Sequence, residues 1–82
     1  MREISDYRVR RVLANGVEEF ELITKDEDEA YDCFYDDINK IQGDIDSGYA
    51  KKKPYAVVRL ELLVVFESGH RDIIANRSFV YK

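Results

Sequence analysis

Nine acidic residues fall between positions 24 and 48, against Lys25 and Lys40. Carboxylates spaced by four, as Asp28, Asp32 and Asp36 are, could share a hard cation or face a basic partner. On a straight helix such side chains reach a single ion poorly, and the D-x-D-x-D-G spacing of a calcium loop is missing. His70 is the only histidine, with Ser68 and Asp72 close by in sequence. Acyl-transfer chemistry needs a nucleophile, a base and an orienting acid in a dry site, and a tight turn around Gly69 makes no such pocket. The lone Cys33 excludes an intrachain disulfide and a cysteine metal cluster, and it reads as a small buried hydrophobe. No Walker A, G-x-G-x-x-G or H-E-x-x-H occurs. No catalytic residue, metal site or cofactor is therefore expected, and a small enzyme or metal binder ranks third among the readings.

The acids sit on the element around which the chain is organised. Ala30, Cys33/Phe34, Ile38, Ile41 and Ile45 recur at steps of three and four, which predicts one amphipathic helix over residues 25–47. Thr24 and Glu27 have the spacing of a capping box, and Asp26 to Glu29 suit the positive end of the helix dipole. Gly48 is placed to cap the C-terminus, and Gly43, which weakens the last turn, offers an earlier end near Ile41 or Gln42 as the alternative.

A hairpin is predicted on each side, over residues 7–23 and 55–81. Asn15-Gly16 between strand-like runs signals a two-residue type I′ loop. That register sets Val9 opposite Leu22, Arg8 opposite Ile23, Arg10 opposite Glu21, Arg11 opposite Phe20 and Val12 opposite Glu19. Tyr7, Val9, Leu13, Phe20 and Leu22 then form a core face, with Arg11 snorkelling at its edge. In the second hairpin, alternation puts Ala56, Val58, Leu60, Leu62, Val64 and Phe66 on the helix side. A two-residue loop at Ser68-Gly69 or Gly69-His70 adds Ile73, Ala75, Phe79 and Tyr81. The expected fold is α+β: one domain over 1–82, a β-β-α-β-β two-layer sandwich of an antiparallel four-stranded sheet and one acidic amphipathic helix.

At 82 residues the core is thin, and association is a common remedy. The outer face of the second hairpin would carry Val57, Leu63, Val65, Ile74 and Val80, an apolar surplus that suggests a homodimer interface. The formal net charge of −4 divides into −7 on residues 24–48 and +3 elsewhere. Asp28, Tyr31, Asp32, Tyr35 and Asp36 would line an exposed acidic face able to bind a partner protein. The sharper alternative is a DNA mimic that occupies the cleft of a basic nucleic-acid-binding protein. Lys51-Lys52-Lys53 between Tyr49 and Tyr55 points the other way, towards nucleic acid, but the net charge argues against direct binding. No apolar run approaches membrane-spanning length and the N-terminus lacks a signal-peptide core, so a cytoplasmic protein is expected.

In size, acidity and hairpin-helix-hairpin plan the chain is similar to small phage and mobile-element proteins. Some of those inhibit host enzymes or defence systems, which implies a binding protein that inhibits its target. No motif carries the likeness, so no residue roles come with it.

Overall fold

The computed structural model describes residues 3–82. Strands β1 (Ile4–Leu13) and β2 (Glu18–Thr24) are followed by helix α1 (Glu27–Asp46), β3 (Val57–Phe66) and β4 (Arg71–Ser78). All strand pairs are antiparallel in the order β2-β1-β3-β4, so the hairpins join through their first strands. This is the expected α+β fold. Among the described residues no helix is long and apolar enough to cross a membrane.

The helix stripe is as the spacing predicts. Ala30, Phe34 and Ile45 are buried against Tyr7, Val9, Leu60, Leu62, Val64 and Phe79, with Cys33, Ile38 and Ile41 half-buried beside them. The start differs from the expected capping box. Asp26 is the N-cap, its carboxylate accepting from the Asp28 and Glu29 amides, while Thr24 Oγ1 accepts from the Asp26 amide. The helix continues through Gly43 to Asp46 because Ile45, 1% exposed, anchors the last turn in the core. Gly48, at φ +82°, takes the left-handed position after the helix. At the other end the Tyr7 hydroxyl donates to Glu27 Oε2 at 2.8 Å, tying β1 to the first turn. That hydrogen bond, reinforced by burial, holds the Tyr7 hydroxyl above its ordinary pKa.

Neither hairpin uses a two-residue loop. In the first, the Gly16 amide donates to Leu13 O and the Leu13 amide to Val17 O, enclosing three residues, Ala14 to Gly16. Gly16 is left-handed at φ +89° and Asn15 is not, so the turn is a type I turn with a glycine bulge rather than type I′. The second hairpin repeats this with Phe66, Gly69 (φ +89°) and His70 in the places of Leu13, Gly16 and Val17. Even the side-chain brace recurs. Asn15 Oδ1 accepts from the Val17 amide, and Ser68 Oγ accepts from the His70 amide.

The shorter register holds for half of each hairpin, and a bulge then restores the expected one. Arg10 pairs with Phe20, Arg11 with Glu19 and Val12 with Glu18, but Val9 meets Leu22 and Arg8 meets Ile23 as the two-residue loop would have it. Leu63 pairs with Ile73 while Leu62 meets Ala75. The bulged residues Glu21 and Ile74 follow Gly16 and Gly69 at the same distance of five. Both edge strands are thus kinked, which discourages pairing with another chain's edge.

Two expected core positions change as a result. Phe20 and Ile73 turn to the open face and are 44% and 49% exposed. Arg11 stays under the helix, and its partner there is the bulged Glu21.

Candidate functional site

The open face of the sheet is a charge lattice with an apolar floor. One cross-strand row runs Ile23, Arg8, Leu63, Ile73, and the next runs Phe20, Arg10, Glu61, Asn76. Arg10 sits between Glu61 (2.8 Å) and Glu18 (3.2 Å), Arg8 holds Asp6 at 2.7 Å, and Arg59 approaches Glu61 at 3.5 Å. The Arg8 and Arg71 guanidiniums lie over the Phe20 ring at 5.2 and 5.9 Å. The Arg8 guanidinium beside Asp6 holds that carboxyl below the usual carboxylate range, against a smaller opposing effect of burial.

The five residues expected at a dimer interface do not form one exposed patch. Leu63 and Val65 are only 2% and 6% exposed, flanked in register by Arg8 and Ile73, and by Asp6 and Arg71. Long arginine stems cover apolar neighbours while their heads stay wet, which accounts for the burial. Val57 pairs with Leu13 past a register shift and packs against the core instead. Ile74 and Val80 are exposed, but at about 3.3 Å per residue they stand roughly 20 Å apart along the chain's return path.

The five residues expected on the acidic helix face differ in exposure. Asp28, Asp32 and Asp36 are exposed, and along one edge of their row the exposed Tyr35 stacks on Tyr31, which is half-buried against the core, with ring centres 6.2 Å apart and planes 23° apart. Phe34, in the core, meets the Tyr35 ring edge-on at 5.4 Å and fixes its placement. The result is an aromatic pair, one ring exposed and one packed on the core, beside a row of carboxylates.

Two further clusters bear on chemistry. Glu21, Cys33 and Asp37 bring a ligand atom each to within 4.8 Å of one another. The false register hid this set, since only the bulge turns Glu21 to the helix side. Arg11 Nη2 lies 2.6 Å from Glu21 and 3.6 Å from Asp37, so a guanidinium already supplies the positive charge that holds the carboxylates together. Burial raises the pKa of the Cys33 thiol, favouring its neutral form.

His70 Nε2 lies 2.8 Å from Asp72 Oδ1, and its ring stacks on Phe66 at 5.9 Å. The ring is about half exposed and the Ser68 hydroxyl is engaged by the turn backbone. His70→Ala should change stability by less than about 0.5 kcal/mol, as surface changes do. Paired urea titrations check this.

Compared with known proteins, the chain matches no family model, no curated protein and no solved structure.

Proposed function

We propose that this chain is a protein-interaction module rather than an enzyme, and that it engages a basic surface on another protein through α1, with inhibition of that protein as the consequence. The observation that supports it is the stacked Tyr31–Tyr35 pair, Tyr31 seated on the core and Tyr35 exposed, beside the exposed row Asp28, Asp32 and Asp36. Like charges at i,i+4 each cost a few tenths of a kcal/mol, so folding alone favours other residues there. Tyrosines supply contact area at interfaces, and carboxylates supply steering.

The same row supports a second reading, a DNA-binding cleft as the target: residues four apart rise about 6 Å along a helix, close to the through-space separation of successive phosphates on one strand. A homodimer through the sheet face has less to drive it, because Leu63 and Val65 are covered and the arginine–carboxylate lattice would have to be desolvated.

The test uses affinity capture with mass spectrometry, comparing the native chain with Asp32→Asn/Asp36→Asn and with Tyr31→Ala/Tyr35→Ala. One partner should be retained by the native chain and weakened at least about tenfold by each double substitution, with steep loss on adding salt. The Asn pair should leave the fold as stable or slightly more so. A partner whose binding ignores salt and both substitutions would reject the helix as its site.

A further inference from the structure

The loop between α1 and β3 and the C-terminal residues after β4 build a groove at the end of the molecule where the helix finishes. It measures about 280 Å3 and is lined by Tyr49, Lys51, Lys53, Tyr55 and Tyr81, with Ala50 and Ala56 as its small residues. We propose that this groove binds single-stranded nucleic acid, its tyrosines stacking bases while Lys51 and Lys53 meet the phosphates.

The groove is built rather than incidental. The Ala56 amide donates to Lys53 O across a turn with Pro54 at its second position, and the Ala14 and Asn15 amides donate to Ala56 O and Pro54 O. The first hairpin therefore clamps the loop from behind. The Ala50 amide donates to Asp44 O, fixing its other end to the helix. The Tyr81 hydroxyl donates to Val57 O at 2.7 Å, which fixes the orientation of its ring. Tyr49 and Tyr55 are 87% and 66% exposed, so two large aromatic rings stand in water beside this rigid floor.

Residue types choose the ligand. Tyrosines alone could cage a quaternary ammonium group. Here Lys53 Nζ already lies 5.9 Å over the Tyr55 ring, and a second lysine shares the wall, so a cation is repelled. A flat ring joined to a negative charge satisfies both features, and stacking platforms with flanking lysines bind single strands in this way.

The acidic balance of the whole chain does not forbid this. Over the 20-residue helix the first-turn acids lie about 27 Å from the groove, several times the ~8 Å screening length. Nearer by, Asp46 faces Lys82 at 3.9 Å, and Asp44 beside Tyr81 is outnumbered by Lys51, Lys52 and Lys53.

The experiment is fluorescence anisotropy of a labelled oligothymidylate of about twelve nucleotides, titrated with the full chain between about 50 and 200 mM salt. Saturable binding is expected. Lys51→Ala/Lys53→Ala should flatten the salt dependence by about 1.4 in log–log slope, from about 0.7 per phosphate neutralised on a single strand. Tyr49→Ala/Tyr55→Ala should weaken binding at least about tenfold at unchanged salt slope. Both pairs are exposed, and unchanged circular dichroism confirms that the fold survives. Absence of binding at low salt overturns the proposal, and so does binding that both variants retain. Thymidine monophosphate competing as well as the oligonucleotide, nucleotide for nucleotide, overturns it in favour of a free nucleotide.

Discussion

Leu63→Lys should destabilise the chain by at least about 3 kcal/mol, whereas Ile74→Lys should cost less than about 1 kcal/mol. Both residues lie outside the helix-packed core, and their sequence neighbourhoods look alike. Leu63 sits in a central strand, 2% exposed, with Arg8 beside it in register on β1 and Ile73 on β4. Burying it removes a whole leucine from water, worth roughly 1.5–3 kcal/mol. A lysine there would also place its ammonium next to the Arg8 guanidinium, a like-charge contact with little screening. Ile74 is the bulged residue of an edge strand and is 40% exposed, so a lysine in its place reaches water directly. Urea unfolding followed by circular dichroism separates the two, because a large midpoint shift is expected for the first alone. A Leu63→Lys chain with the native midpoint but a smaller hydrodynamic mass would instead place that side chain between copies.

That contrast marks how far the sequence could be read. The helix was legible because its apolar stripe repeats over five positions and no alternative period fits Ala30 to Ile45. The hairpins were legible from alternation and glycine. Their loops were not, because Gly16 and Gly69 are left-handed in either turn type, so glycine alone does not separate a two-residue loop from a three-residue one. The difference of one residue turned Phe20 and Ile73 outward and left Glu21 and Ile74 as bulges. The apolar surplus of the open face was read correctly as composition, but not as exposure. Nothing local shows that β1 lies next to β3, which is what brings Arg8 and Arg10 alongside Leu63 and Glu61. The acidic helix face was legible because its residues are close in sequence. Tyr81 joining Tyr49 and Tyr55 was not, since that meeting depends on where the chain returns after β4.

The charge lattice yields the second large effect, and its size depends on how many partners are removed. Glu61 is 2% exposed at the centre of the sheet, held by Arg10 at 2.8 Å and by Arg59 at 3.5 Å. Arg10→Met should cost about 2–4 kcal/mol, because it leaves a carboxylate buried with only the half-exposed Arg59 as counter-charge. Glu61→Leu should cost less, about 1 kcal/mol, since the arginine it abandons keeps Glu18 at 3.2 Å and can carry its head to solvent. Arg10→Met with Glu61→Leu should return close to the native stability, because two apolar side chains of similar volume then fill the site without an unpaired charge. The three variants with the native chain make a double-mutant cycle, read by urea unfolding, with an expected coupling of about 3–5 kcal/mol, the sum of the two single costs. Simple additivity would show that the pair is solvated at the surface and that the open face is not sealed by its arginines. The triple match of small cost, large cost and recovery would show that the sheet's outer layer holds its shape through Arg10, leaving the helix face and the tyrosine groove free to serve as contacts.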